Sequence, residues 1–254
     1  MINYLEIITF DSIQPIFFSK RRVWRNVLFI LSALLPFLVS CAGNELARYP
    51  SDKAISEEVS LWLRQGPQSR VSSAITNIAQ QISGITRRER LYNSIDYIWN
   101  NFHYAKRFNN KMFKRTAKVL FRDKKLGGCA DFALVAATLF RASQIPTRLI
   151  MTANADWMSR YKKNSLHITT GHIFLEVYLE DEWYLVDPVF RFLFSEYRQE
   201  LRSYPRREYF CLRGVDYWAL GIYDIADLDK VYQARALRFD EKLYKDPAYP
   251  QKKI

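Results

Sequence analysis

The sequence predicts an α+β domain in which helices come first along the chain and strands follow. Helical periodicity dominates residues 71–142, and short apolar runs of strand length dominate residues 147–187. Elements in this order are typical of α+β proteins rather than of a wound βαβ sheet. The chain has 254 residues, of which 49% are hydrophobic and 15% aromatic, so it can bury a substantial core and is not a disordered chain.

Three helices are predicted in the first half of the domain. The first carries an apolar stripe at helical spacing, formed by Val71, Ile75, Ile78, Ala79 and Ile82. Thr86 and Glu89 have the spacing of a capping box, which predicts the start of the second helix and its buried face at Tyr92, Ile95, Trp99 and Phe102. The third begins at Cys129, directly after two glycines, and ends before Pro146.

Strands and loops are predicted in the second half. The elements expected there are a strand over 147–152, an irregular loop over 154–170, strands over 172–179 and 183–187 joined by an acidic turn at 180–182, and a helix over 224–243. Residues 190–215 are aromatic and basic without a clear period. The last residues, 246–254, are expected to form a polar tail.

The first forty residues have the form of an export signal. A basic block at residues 20–25 precedes fourteen uncharged residues, 27–40. That length matches the roughly 7–15 apolar residues of a signal peptide better than the roughly 20 of a membrane-spanning helix. The run closes on Leu38-Val39-Ser40-Cys41, which resembles a bacterial lipobox, so Cys41 is the predicted lipidation site. An uncleaved inner-membrane anchor and a plain secretory signal are the alternatives.

These features predict the organisation and location of the chain. Residues 1–40 are expected to be a signal peptide, 41–54 a tether and 55–245 a single domain. Ala42, rather than Asp, follows Cys41. In enteric bacteria, a residue other than Asp at this position implies sorting to the outer membrane. We therefore expect a protein of the bacterial cell envelope that is lipid-anchored and faces the periplasm, at the outer membrane rather than the inner.

The net charge of +12, from 38 basic and 26 acidic residues, would suit an anionic partner. Because an exported protein does not meet the chromosome, we expect no nucleic-acid partner. The basic surface either faces anionic lipid, lipopolysaccharide or an acidic wall polymer, or it only keeps the protein in solution. Nine Lys and Arg residues lie between residues 106 and 125, hereafter the basic segment. It is either a solvated face or a surface that meets substrate.

Cys129 is the candidate nucleophile. It stands in the first turn of a helix, where unpaired backbone N–H groups favour a negative charge such as a thiolate. His172 opens one strand and Asp187 closes the next. A Cys–His–Asp set suits thiol acyl transfer, because the base withdraws the thiol proton and the carboxylate orients the imidazole.

Spacing alone does not bring His172 and Asp187 together. If Glu180 lies opposite Trp183, then Asp187 lies opposite Glu176, four residues from His172 and about 13 Å away along the strand. A stagger or a bulge would be required. Elsewhere, Cys211 is flanked by large apolar residues and is expected to be a buried free thiol, with a disulfide to Cys129 as the alternative.

Three blocks of sequence resemble the bacterial transglutaminase-like superfamily of papain-like thiol enzymes. They are YIWNNFHYAK, GGCADFALVAATLFRASQIPTRL and GHIFLEVYLEDEWYLVDP, within residues 86–190. The resemblance implies that Cys129 is the nucleophile, His172 the general base and acid, and Asp187 the orienting carboxylate. It also implies a fold in which the Cys helix packs on a small antiparallel sheet. Many relatives have an aromatic residue after the Cys, where this chain has Ala130, so the acyl pocket is expected to differ.

These residues predict a cell-envelope cysteine hydrolase that cleaves an amide or peptide bond through a thioester, with a protein or peptide as substrate. The alternatives are a transglutaminase that transfers the acyl group to an amine, and a catalytically silent, lipid-anchored binding module. The backbone N–H of Cys129 is the one oxyanion donor that the sequence suggests. No cofactor or metal ligand set is predicted, since no calcium-loop pattern occurs.

Overall fold

The computed structural model describes residues 54–164 and 169–254. The predicted signal peptide, nearly all of the tether and the predicted lipidation site Cys41 lie outside these residues. No helix within the described ranges is long and apolar enough to cross a membrane.

The described residues form seven α-helices and nine strands. The helices are α1 (Glu57–Ser60), α2 (Ser73–Gln81), α3 (Arg87–Asn101), α4 (Ala117–Asp123), α5 (Cys129–Ala142), α6 (Ala155–Asn164) and α7 (Ile225–Leu237). The strands are β1 (His103–Tyr104), β2 (Lys125–Leu126), β3 (Thr147–Asn154), β4 (Gly171–Leu179), β5 (Glu182–Asp187), β6 (Phe192–Phe194), β7 (Ser203–Tyr204), β8 (Glu208–Gly214) and β9 (Gln251–Lys253).

Seven of the strands form one sheet, in the order β7-β8-β3-β4-β5-β6-β9. All of its neighbouring pairs are antiparallel, whereas β1 and β2 form a separate parallel pair. The buried side chains of one cluster join the central strands to β6 and β7, and they are Ile150, Phe174, Leu185, Phe194 and Tyr204.

Helices α2 and α3 form where the sequence predicts them. Thr86 caps α3 by accepting a hydrogen bond from the backbone N–H of Glu89, and the Glu89 side chain completes the capping box. On α3 the fully buried apolar residues are Leu91, Ile95 and Ile98. The buried stripe therefore follows the predicted face with a small rotation.

Helix α5 is the central helix of the domain, and its side chains from Ala130 to Arg141 are all buried. It packs against the central strands β3 and β4 as well as against α2, α3 and α4. Its apolar sequence accounts for this position, because a helix that is apolar all round is stable only where neighbours cover it on every side. The predicted α+β fold, with the Cys helix packed on an antiparallel sheet, is confirmed.

Residues 155–164 form helix α6, where an irregular loop was predicted. The Asn154 side chain starts it by accepting hydrogen bonds from the backbone N–H groups of Asp156 and Trp157, both at 3.1 Å. Trp157 and Met158 are fully buried and hold the helix on the domain. The prediction was wrong because two large apolar side chains anchor a segment that is otherwise mostly polar.

The end of the chain also differs from the predicted polar tail. Residues 251–253 form β9, which pairs with β6 and whose side chains are all exposed. The sequence shows no apolar alternation there, because an edge strand with solvent on its outer side needs none. Strands β6, β7 and β8 likewise occupy the stretch that showed no clear period.

Candidate active site

The turn before Cys129 is held tightly against the basic segment. A β-carbon on Gly127 would lie 2.4 Å from the carbonyl oxygen of Phe108, so only glycine allows this close approach. The backbone N–H of Gly127 donates to the Asp131 carboxylate at 2.7 Å. Asp131 therefore ties the first turn of α5 back to the turn that precedes it.

Arg115, which belongs to the basic segment, also contacts Asp131. Its guanidinium pairs with the Asp131 carboxylate and also donates to the carbonyl oxygen of Lys125 at 2.8 Å. Burial raises the pKa of Asp131 more than the bonds from Gly127 and Arg115 lower it. The Gly127 N–H and the Arg115 guanidinium thus both hold the Asp131 carboxylate at the turn that precedes α5.

The register of β4 and β5 differs from the predicted one. Tyr178 lies opposite Trp183 and Glu176 opposite Leu185, so continuing the ladder by one pair beyond Val186 places Asp187 opposite Phe174. The turn contains two residues, Glu180 and Asp181, with φ of 52° and 68°. Two central residues with positive φ make the tight hairpin turn that suits the twist of the strands.

This two-residue turn removes the predicted separation between the two side chains. Asp187 lies diagonally across the hairpin from His172, two residues away instead of four. Diagonal neighbours on one face of an antiparallel pair are about 7–8 Å apart at the backbone, within reach of a histidine ring and a carboxylate. Neither a stagger nor a bulge is needed.

His172 lies between Asp187 and Cys129. The Nε2 atom of His172 lies 3.1 Å from Oδ2 of Asp187, and Cys129 is close enough to the ring to raise the pKa of His172. Because Nε2 faces the carboxylate, Nδ1 is the ring nitrogen left for the thiol. His172 is 7% exposed and Asp187 is fully buried, while Cys129 is partly exposed.

The electrostatics of this set favour a protonated imidazole. Burial lowers the pKa of His172, but the Asp187 carboxylate and Cys129 outweigh it and raise the pKa to about 10. Burial raises the pKa of Asp187, but the imidazole and then Arg206 outweigh it, so that the pKa lies below its ordinary value. An imidazolium beside a thiol is the arrangement that stabilises a thiolate.

Arg206 is a fourth member of the site that the sequence did not reveal. Its guanidinium pairs with the same Oδ2 atom that faces His172, and it lies 4.1 Å from the centre of the Phe190 ring. The other oxygen, Oδ1, accepts the backbone N–H groups of Val189 at 3.0 Å and Phe190 at 3.2 Å. Both oxygens of Asp187 are therefore fixed.

His172 is also held from behind. Its carbonyl oxygen lies 3.0 Å from the hydroxyl of Thr152. That hydroxyl in turn lies 2.8 Å from Glu208. On the ring itself, Phe174 packs edge-on at 4.8 Å between centroids. The imidazole can therefore rotate little.

A small apolar cavity of about 30 Å³ opens beside the thiol. Besides Cys129 it is lined by Met112, Phe113, Ala130, Gly171, Ile173, Leu228 and Tyr232. A β-carbon on Gly171 would lie 2.2 Å from the carbonyl oxygen of Thr152 and 2.7 Å from the Tyr232 ring. Glycine thus keeps the strand close to Tyr232. The small Ala130 side chain forms part of the wall, and the Ala130 carbonyl oxygen accepts the Tyr217 hydroxyl at 2.9 Å.

The other sequence-predicted positions fall as follows. Within the described ranges, Cys129 and Cys211 are both free thiols, and Cys211 is buried as predicted. Cys41 lies outside those ranges. No group of three or more His, Cys, Asp and Glu side chains in the described ranges is placed to hold a metal ion.

Arg206 and Glu208 were missed for different reasons. Arg206 and Arg207 both have positive φ, at 65° and 59°, in a stretch that shows no period. Nothing in two adjacent arginines signals such a turn. Glu208 opens β8 as a charged residue, and only the pairing of β8 with β3 reveals that it is buried. Glu208 stands between Arg207 and Tyr209 in the chain, so its neighbours give no sign that it is buried.

Known proteins resemble this chain in sequence and in structure. Residues 76–188 match the family model of the transglutaminase-like superfamily. A proposed cysteine protease from Cytophaga hutchinsonii is 18% identical, with a TM-score of 0.47 over 66% of this chain and 50% of that one. A TGase structure is 13% identical, with a TM-score of 0.36 over 76% of this chain and 52% of that one.

This chain thus spans about half the length of either structure. No protein of curated function matches the sequence. The matched segment contains Cys129, His172 and Asp187, in the order in which the sequence blocks present them. The family that residues 76–188 of this chain resemble is therefore the transglutaminase-like superfamily.

Proposed function

We propose that this chain is a cysteine hydrolase that cleaves an amide or peptide bond through a thioester acyl-enzyme. Cys129 is the nucleophile, His172 the general base and acid, and Asp187 the orienting carboxylate. The observation that carries the proposal is the pairing of the His172 imidazole with the Asp187 carboxylate, with 3.1 Å between Nε2 and Oδ2, and with Cys129 close enough to raise the pKa of His172.

The reaction follows from the charges of these groups. The Cys129 thiolate attacks the carbonyl carbon of the substrate, and the negative charge on its oxygen meets the backbone N–H of Cys129, which has no partner within the helix at this first position. When the C–N bond breaks, the His172 imidazolium gives its proton to the leaving amine. The product is a thioester on Cys129.

Water completes the cycle. Neutral His172 withdraws a proton from water as it attacks the thioester carbonyl, and the C–S bond breaks to release a carboxylic acid and the Cys129 thiolate. Asp187 holds the imidazole and stabilises its charged form in both halves of the reaction. Water is the acceptor that we favour, because the residues around the cavity are apolar and offer no second site for an amine.

The proposed setting is the bacterial cell envelope. Acyl chains on Cys41 would hold the domain at the membrane, facing the periplasm and within reach of protein or peptide substrates. This rests on the basic block, the uncharged run and the lipobox-like end of residues 20–41.

The proposal is tested by measuring how fast iodoacetamide alkylates the full chain between pH 5 and 9, with the modified cysteines identified by mass. We expect Cys129 to react well below pH 7, because the imidazolium stabilises its thiolate, and His172→Ala to abolish that reaction. Burial raises the pKa of the Cys211 thiol, so Cys211 should stay unmodified and serves as the internal control.

Two results would count against the proposal. One is labelling of Cys129 only near pH 8.5, the ordinary value for a thiol. The other is turnover of an envelope peptide mixture that survives Cys129→Ala. Release of new carboxyl groups identifies hydrolysis, whereas incorporation of a labelled amine would identify acyl transfer.

A further inference from the structure

The basic segment forms one side of the cavity next to Cys129. Met112 and Phe113 belong to it and line the cavity. Lys111 and Lys114 flank these two residues in the chain, so each has its Cα about 3.8 Å from the Cα of a lining residue. The carbonyl oxygen of Phe108 contacts Gly127, two residues before the nucleophile.

Most of the charge in this segment faces solvent without a counter-charge. Seven of the nine basic side chains are exposed, and they are Lys106, Arg107, Lys111, Lys114, Lys118, Arg122 and Lys125. Among the described residues only Arg115 and Arg122 of the segment form ion pairs, with Asp131 and Asp123. The one acidic residue of the segment, Asp123, is thus already paired.

Part of this charge is held in place rather than left on free side chains. Lys111 and Arg107 lie 5.1 and 5.3 Å from the centre of the Phe108 ring, and the buried Arg115 lies 4.9 Å from it. Cations at such distances are attracted to an aromatic face. The ring therefore gathers positive charge at the point where the segment contacts the turn before Cys129.

The opposite wall does not repeat this charge. It consists of Gly171, Ile173, Leu228 and Tyr232, and Asp229 follows Leu228 in the chain. The cavity therefore lies between a basic surface and a wall that is apolar, with one acidic neighbour.

We propose that the basic segment is the substrate-docking surface of this site, and that it selects peptides with acidic residues next to the bond that is cleaved. This inference extends the proposed hydrolase activity, and it depends on that activity because it assumes that the docked peptide is a substrate. A peptide is favoured over a nucleic acid because the charge borders a cavity that contains a thiol suited to attack an amide carbonyl.

The local charge is tested by comparing two alkylating agents on the full chain. Iodoacetate is an anion and iodoacetamide is neutral, and both react with the Cys129 thiolate. We expect the iodoacetate-to-iodoacetamide rate ratio at low salt to fall about fivefold in Lys111→Gln/Lys114→Gln. That is the effect of removing two unit charges that each act on the anion across about 8 Å of water. The difference should vanish near 1 M salt, where the Debye length is about 3 Å.

Lys242→Gln/Lys245→Gln is the matched control. These two lysines are exposed, have the same spacing in the chain and lie outside the cavity lining. We expect the control to retain the wild-type ratio. An unchanged ratio in the 111/114 variant, or an equal fall in the control, overturns the proposal.

Docking itself is tested by protection of Cys129 from iodoacetamide. We expect an acetylated hexaglutamate amide to protect it, hexaglutamine amide not to, and the 111/114 variant to need about fivefold more hexaglutamate. Equal protection by an oligonucleotide of the same charge would make this a general polyanion surface and would overturn the assignment to peptides. Slow iodoacetamide labelling with a preserved anion preference would instead reject the hydrolase and leave the docking surface standing.

Discussion

Replacing Asp187 with Asn should convert Cys129 from a reactive into an ordinary thiol. The change keeps the shape of the side chain, and its oxygen can still accept the backbone N–H groups of Val189 and Phe190. What it removes is the charge beside His172. It also places an N–H₂ donor against the ring, which favours the tautomer with its proton toward the thiol.

The magnitude follows from the pKa of His172, which is about 10 instead of 6.5. That difference corresponds to roughly 5 kcal/mol of preference for the imidazolium. The carboxylate is the largest cause that raises this pKa, and burial opposes it, so we expect the pKa in Asp187→Asn to fall toward 6.5 or below. Cys129 then has no imidazolium beside it to stabilise its thiolate.

The assay is the iodoacetamide rate of Cys129 at pH 6. A thiol of pKa about 8.5 is roughly 0.3% ionised there, and a more basic thiolate is somewhat more nucleophilic, so the rate should fall about 100-fold. With substrate, turnover should fall about 10³–10⁴-fold. In the native protein turnover should also decline above about pH 10, as the imidazolium that protonates the leaving amine is lost.

Asp156→Asn is the control, because Asp156 is another carboxylate that pairs with an arginine. Its partner is Arg207, the residue after Arg206, at 2.8 Å. It should leave the labelling rate unchanged. If Asp187→Asn labels at pH 6 as fast as the native chain while melting at the same temperature, the argument from the carboxylate charge is refuted.

Two further predictions concern neighbours of the catalytic set. Arg206→Ala removes a positive charge that opposes the imidazolium, so the pKa of His172 should rise. The measurement is NMR of the His172 ring protons in a Cys129→Ala background. A fall in this pKa would contradict the reasoning. Gly127→Ala places a β-carbon 2.4 Å from the Phe108 carbonyl oxygen. The free energy of unfolding, measured with denaturant, should therefore fall by about 1–3 kcal/mol, and iodoacetamide should label Cys129 more slowly. An unchanged free energy of unfolding would show that the turn can move to accommodate the methyl group.

Local signals predicted the parts of the fold that depend on neighbours in the chain. The Thr86–Glu89 capping box and the apolar stretch after Cys129 each specify a helix through contacts within a few residues. The α+β class followed from the order of these elements. Cys129, His172 and Asp187 were identified through residue chemistry and family resemblance, and the structure brings them together.

Features that depend on distant contacts or on unusual backbone angles could not be predicted. The hairpin turn at Glu180 and Asp181 lacks the Asn-Gly or Asp-Gly signal of a two-residue turn, so the position of the turn and the register were misjudged. Helix α6 depends on the burial of Trp157, which is decided by α7 and β3 rather than by its own sequence.

The short hairpin between β4 and β5 links an exposed turn to the geometry of the catalytic pair. Exposed turns commonly accept insertions, because few contacts depend on them. Here an additional residue must either bulge outward or shift the ladder by one position, and such a shift moves Asp187 to the opposite face of the sheet. Where the ladder shifts in this way, the length of an exposed turn decides whether the His172 imidazole keeps its carboxylate.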